Sequence, residues 1–213
     1  MNKQTYEKLA YMTIKEKILS GTYRIGDHVS ESALAAELTI SRTPVRRALE
    51  VLEADGLIRF ERNRGAVVTT SVLTPAQFVQ MLEMVEVLCL QTVDKIKKHY
   101  ASFEPSENIR LTTELKAAGE KGDYSAYNSG LGAWLHQLLT FADNPYVQET
   151  LRKIVQDFQV KAKNDLKMLP LLLADRTVTA FHELIEELQA HRYEEAKNSI
   201  QKLINEFIIL TFR

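Results

Sequence analysis

The densest chemistry in the chain lies in Ser41-Arg42-Thr43-Pro44-Val45-Arg46-Arg47, where three guanidinium groups stand beside two hydroxyls. An arginine fork can read O6 and N7 of guanine, and a threonine can meet a phosphate or a thymine methyl. Arg42 and Arg46 are four residues apart, so on a helix they share a face. A second basic pair, Arg62 and Arg64, stands just before Gly65. Much later come His136 and His182, with Glu183 beside the second. Such groups can move protons, ligate a metal or hold a small molecule by hydrogen bonds. The single cysteine, Cys89, excludes an intramolecular disulfide framework and a thiolate metal cluster. It sits in an apolar helical run and reads as core. No nucleophile elbow, phosphate loop or paired-acid signature is present, so the residues point to recognition and not to an enzyme.

The elements that must position these residues follow from periodicity and punctuation. Tyr6, Leu9, Ala10, Ile14 and Ile18 predict a first helix over about 4–20, stopped by Gly21. Gly26-Asp27 marks a turn. Ser30 can cap a second helix over about 31–37, with Leu34 and Leu38 inward. Ser41 caps a third over about 42–55, with Pro44 in its first turn and Val45, Ala48, Leu49 and Leu52 as its buried stripe. Gly56 ends it. Leu57–Arg62 and Ala66–Thr70 then read as two strands joined by a turn at 62–65. Three helices followed by a hairpin make a winged helix-turn-helix, whose third helix enters the major groove with its N-terminal end foremost. Free N–H groups at that end suit a phosphate. Arg62 and Arg64 at the wing tip suit the minor groove or its phosphates.

Charge agrees in its distribution more than in its total. The 213 residues carry 27 Lys plus Arg against 28 Asp plus Glu, a net charge of -1 that excludes a polybasic nucleic-acid binder. Residues 1–75 carry 11 basic and 9 acidic side chains, and three arginines against one acid fall between Ile40 and Val51. Between Arg59 and Gly65 the ratio is again three to one.

The run from Ser41 to Leu49, with Leu52 and Asp55-Gly56-Leu57-Ile58, closely resembles the GntR family of bacterial transcriptional regulators. Ile18-Leu19-Ser20-Gly21, Gly26-Asp27, Ser30–Ala35 and the wing Gly65 match the same pattern, so the resemblance covers nearly all of 10–70. It implies DNA contacts at Arg42, Thr43, Arg46 and Gly65. Ser41 and Arg47 are exposed on the same turn, and Arg47 stands where the family often has Glu.

From Thr74 onward the pattern is helical. Six helices are expected, over about 75–98, 106–120, 123–141, 145–166, 171–190 and 193–210, with breaks at Gly122, Asp143-Asn144-Pro145, Pro170 and His191-Arg192. The fold class is therefore mostly α: a winged helix-turn-helix over 1–72, then an antiparallel all-α bundle over 73–213 for effector binding and dimerisation. Leu135-His136, Asn144-Pro145 and His182 with Ile185 resemble the effector domain of the FadR-like branch, the FCD domain, and six helices match its smaller VanR-like group.

The resemblance implies a metal site of one Asp and three His. Here only His136 and His182 stand at such positions; Gly132 replaces the Asp, and the last His position falls in Leu203–Asn205. Three or more protein ligands are usual for a divalent ion. A replacement could come from Asp143, Glu183, Asn128 or Asn205. The preferred reading has no cofactor: His136 and His182 line a small-molecule cavity that Gly132 enlarges, with Asn128 and Arg152 as further pocket residues. Their alternative is a buried polar pair satisfied by hydrogen bonds, and the less favoured one a retained divalent metal. Arg110, Arg152 or Lys153 could meet an anionic effector such as an organic acid, and Trp134 reads as core or interface.

One helix-turn-helix reads few bases, so a homodimer on palindromic double-stranded DNA is expected. Ligand would act through the Thr69–Pro75 linker, and repressor is the commoner mode in the family. The opening MNKQTYEKLA lacks a continuous apolar stretch, and the longest apolar runs, Met168–Ala174 and Phe207–Leu210, are far short of a span. The expectation is a cytoplasmic protein with no membrane partner.

Overall fold

A computed structural model describes residues 3–62, 64–69, 72–99 and 103–212. The chain divides into two compact units, Met1–Leu73 with Val160–Lys163, and Thr74–Gln159 with Asn164–Arg213. Among the described residues no helix is long and apolar enough to cross a membrane. The fold is mostly helical, a winged helix-turn-helix followed by an all-helical bundle.

The first unit runs α1 (Lys3–Leu19), β1 (His28–Val29), α2 (Glu31–Glu37), α3 (Arg42–Ala54), β2 (Ile58–Glu61) and β3 (Gly65–Val68). Ala10, Ile14 and Ile18 repeat every four residues on α1 and are buried with Leu34 of α2 and Val45, Ala48, Leu49 and Leu52 of α3. Burying one face of each helix leaves the opposite face of α3 in solvent. Ser30 starts α2 by accepting a hydrogen bond from Ala33 N at 3.3 Å. The α2–α3 turn is closed by Ile40 N donating to Ala35 O at 3.0 Å, with Thr39 in the left-handed region at φ 55°. At the far end of α3, Asp55 accepts a hydrogen bond from the Tyr11 hydroxyl of α1 at 2.7 Å.

The expected hairpin is part of a three-stranded sheet in the order β1-β3-β2. His28 pairs with Val67 and Val29 with Ala66, so the two residues after the Gly26-Asp27 turn add a strand that the sequence pattern did not reveal. Two residues are too few to display an alternating pattern. The wing register sets Arg59 opposite Val67 and Glu61 opposite Gly65. Gly65 has φ 71°, and a Cβ there would come within 2.9 Å of His28 Nε2. The left-handed φ is what calls for glycine, since the exposed His28 ring can turn away from a Cβ. Asn63 of the expected turn, Thr70 of the expected strand and residues 70–71 of the expected linker lie outside the described residues.

The second unit contains seven helices among the described residues, not six: α4 (Pro75–Lys98), α5 (Ser106–Glu120), α6 (Tyr124–Thr140), α7 (Pro145–Lys161), α8 (Asn164–Leu172), α9 (Ala174–Gln189) and α10 (Tyr193–Thr211). The segment expected as one helix over 145–166 breaks at Ala162-Lys163. Pro170, expected to separate two helices, lies inside α8, which ends two residues later. A proline near a helix end removes one internal hydrogen bond and so shortens the helix without preventing it. Thr74 and Gln77 form a reciprocal cap on α4, with Pro75 first in the helix.

The bundle core centres on Trp134, which is fully buried and stacks on Phe181 of α9 with ring centroids 3.5 Å apart. Its indole N–H donates to Thr112 Oγ1 at 2.8 Å. Thr112 donates in turn to Asn108 O at 2.8 Å, and Asn108 Nδ2 donates to Trp134 O at 3.2 Å. This closed circuit fixes α5 against α6. Trp134 is therefore core.

Candidate nucleic-acid interface and bundle cavity

Ser41, Arg42, Thr43, Arg46 and Arg47 are all exposed on the first turns of α3, while Pro44, Val45, Ala48 and Leu49 between them are buried. Ser41 occupies the N-cap position, but its side chain makes no capping hydrogen bond. The hydroxyl and the first N–H groups of α3 are thus available to an incoming oxygen.

The arginines differ in their engagement. Arg42 makes no side-chain hydrogen bond or ion pair among the described residues. Arg46 is held by Glu31 at the start of α2, Nε to Oε1 at 3.2 Å and Nη2 to Oε2 at 3.0 Å. That hydrogen-bonded carboxylate holds the Arg46 pKa above its ordinary value. Arg47 lies 3.9 Å from Glu7 of α1. On the wing, Glu61 bridges Arg59 at 2.6 Å and Arg64 at 3.0 Å, and Arg64 also donates to Gly26 O at 3.4 Å. The bond from Arg59, with help from Arg64, lowers the Glu61 pKa. Arg62 is exposed and has no partner among the described residues. The sequence marks these arginines as exposed, and so they are; it did not reveal that Glu31, Glu7 and Glu61 pair with Arg46, Arg47 and Arg64. All these pairs are solvent-exposed and easily exchanged for another anion.

In the helical unit the expected pocket residues separate into different places. A cavity of about 110 Å³ lies among α4, α6, α7, α8, α9 and α10. Asn128 and Gly132 line it, but neither histidine does. Gly132 faces α7, where a Cβ would come within 3.1 Å of Val155 Cγ1, so the missing side chain serves close helix approach as well as open volume. His136 is exposed and shares a shallower pocket with Arg152 and Gln156. Arg152 forms a two-pronged pair with Glu149 on its own helix at 2.8 and 2.5 Å. His182 is exposed on α9. A buried histidine pair is therefore corrected: each imidazole is in solvent. Among the described residues no group of three or more His, Cys, Asp or Glu could hold a metal ion. Among the described residues, His136 and His182 are joined by no third donor of these kinds.

At the polar end of the cavity sequence reasoning found Asn128 but missed Gln159 and Lys167. Asn128, Phe158 and Gln159 line both the cavity and an adjoining polar pocket that includes Ser129 and Lys167. The only signal for Lys167 was a lone cation in the apolar stretch of α8.

Comparison with known proteins places this geometry. Residues 6–68 match the family described as "Bacterial regulatory proteins, gntR family". Over 156 residues the chain is 32% identical to the gluconate operon transcriptional repressor of Bacillus subtilis, covering 71% of this chain and 62% of that one. It is 35% identical over 60 residues to the HTH-type transcriptional regulator YdhC of Bacillus subtilis, covering 28% of this chain and 27% of that one. The chain thus spans less than two thirds of the length of either relative. A solved structure of Lar, which controls expression of the Listeria monocytogenes agr system, superposes with a TM-score of 0.87 at 24% identity, covering 97% of this chain and 96% of that one. E. coli McbR/YncC superposes with a TM-score of 0.60 at 17% identity over 97% of both chains. At such identities these two likenesses are of fold. Residues 6–68, the winged helix-turn-helix, are thus similar to bacterial regulatory proteins of the gntR family, and an all-helical unit follows them.

Proposed function

We propose that this chain is a ligand-responsive transcriptional regulator that binds a palindromic operator as a homodimer and acts as a repressor. The observation that carries this reading is the first turn of α3: Ser41, Arg42, Thr43 and Arg46 exposed together on a helix whose opposite stripe is buried. That is the arrangement with which a recognition helix meets base edges. The likeness to a gluconate operon repressor supports the repressor mode. Arg47 and the wing residues Arg62, Arg64 and Gly65 would lie along the flanking backbone.

The second unit is read as the effector domain of the FadR-like branch, of FCD type. His136 on α6, Asn144-Pro145 at the start of α7 and His182 on α9 support that reading. Seven helices among the described residues remove the reason for preferring the six-helix VanR-like group. The effector is a small organic acid bound without metal, and the protein works in the cytoplasm. Metal analysis of protein purified without chelator tests the metal-free reading, which stoichiometric zinc, nickel or manganese would overturn.

A gel shift with DNA from upstream of the chain's own gene tests the whole. The expected result is a specific complex that survives competitor DNA. Equal affinity for unrelated DNA at the same salt concentration would overturn the regulator reading.

A further inference from the structure

The cavity among the six helices has a lining without charge, in which only Asn128 and Gln159 are polar. Its volume of about 110 Å³ approaches that of apolar cavities of about 150 Å³ that stay dry and admit benzene. The body that fits is a ring or branched chain of about six carbons. A water molecule there would lack the two to four polar partners it needs.

At Asn128 and Gln159 the surroundings change. The adjoining pocket of about 270 Å³ is lined by these two with Phe158, Ser129, Tyr124 and Lys167. The Lys167 side chain is half-buried and has no hydrogen bond or ion pair among the described residues. Burial lowers its pKa, the mark of a cation without a counter-charge. Asn128 Nδ2 donates to Lys167 O at 2.8 Å, which fixes the orientation of the amide. Asn128 Oδ1 is buried and has no hydrogen-bond partner among the described residues. A buried acceptor left unpaired is costly, and a ligand donor would relieve it.

We propose that the cavity and this polar pocket form one site for a small apolar acid that carries a hydroxyl or N–H next to its carboxylate. The hydrocarbon body lies against Val85, Val155 and Phe181, the carboxylate meets Lys167, and the donor meets Asn128 Oδ1. This deepens the sensor reading of the helical unit and rests on it. It also moves recognition away from the exposed His136 and His182.

The test is calorimetric titration of the full chain, without DNA, with four probes: 2-hydroxy-4-methylpentanoate, 4-methylpentanoate without the donor, lactate without the apolar body, and 4-methylpentane-1,2-diol without the charge. The hydroxy acid is expected to bind at least about tenfold more tightly than lactate or the diol, and several-fold more tightly than 4-methylpentanoate. Lys167→Met should erase the preference for acid over diol. Ile154→Phe, which fills the cavity, should weaken the branched probes and leave lactate unchanged. Four probes binding alike to the unmodified chain, or an acid preference retained in Lys167→Met, would overturn the site. A chain that ranks the probes as expected but fails the gel shift overturns the regulator reading and leaves the site standing.

Discussion

Arg46 can reach a base only by sharing or leaving the carboxylate of Glu31. In the free protein that pair is two-pronged and exposed, so Glu31 acts as a stand-in for the acceptors that DNA would offer. Removing its charge frees a cation on the recognition helix. Glu31→Gln should therefore raise affinity for non-specific DNA and steepen its salt dependence by up to about one counter-ion, measured as the slope of log affinity against log salt. An unchanged slope would mean that Arg46 stays with residue 31 in the complex. Arg46→Ala makes the complementary case. If Arg46 reads a base, operator affinity should fall about ten- to a hundredfold at fixed salt, with non-specific affinity falling far less. Equal loss on both DNAs would reassign Arg46 to a phosphate. The neighbouring Arg42, with no partner to displace, should show its loss chiefly in the salt slope.

At the scale of elements, the core of the helical unit concentrates groups whose ionisation opposes folding. Burial pushes the Cys89 thiol from 9.0 up to about 12 and the Tyr127 hydroxyl from 10.0 up to about 12. Both groups release their protons more easily in the unfolded chain. Their contribution to stability is thus fully present below about pH 9 and is lost as pH rises toward about 12. Denaturation monitored by the fluorescence of Trp134, the only tryptophan, should show stability falling across that window. Cys89→Ala should shift the onset upward; an unchanged onset would exclude the thiol as a cause. Trp134→Phe tests the α5–α6 circuit directly. It keeps the ring stack on Phe181 but removes the donor to Thr112, at an expected cost of about 1–3 kcal/mol by chemical denaturation followed by circular dichroism. The elements themselves differed in how plainly the sequence announced them. The ends of α3 were visible because Ser41, Pro44 and Gly56 each have a local backbone reason to be there. The α7–α8 break was not, since the apolar pattern continues through Ala162-Lys163. His136 could have been placed correctly: it is two residues from both Trp134 and Leu138, about 200° around the helix from a buried stripe. The cavity had no linear signature, because residues from six helices make it and each reads locally as ordinary core. Lys167 was missed for the same reason, since the residues that line the pocket with it, Asn128 and Gln159, stand on other helices.

For the whole molecule the decisive quantity is how little charge the chain brings to DNA. A net charge of -1 gives no general attraction to a polyanion, and the exposed recognition turn of α3 is short. One such head makes too few contacts for tight specific binding under cellular salt. Two heads joined in a dimer make the second contact intramolecular, so its cost in lost freedom is largely met by the first. Affinity for a palindrome should then exceed affinity for one half-site by at least about a hundredfold. It should also depend on the phase of the two halves, recovering when their centres are displaced by about one helical turn of 34–36 Å. A series of duplexes with half-sites moved apart one base pair at a time measures both effects. A steep, periodic dependence is expected. A flat series with half-site affinity equal to that of the palindrome would mean that each chain binds DNA alone, and the dimeric reading would have to be abandoned even if α3 were still the element in the groove.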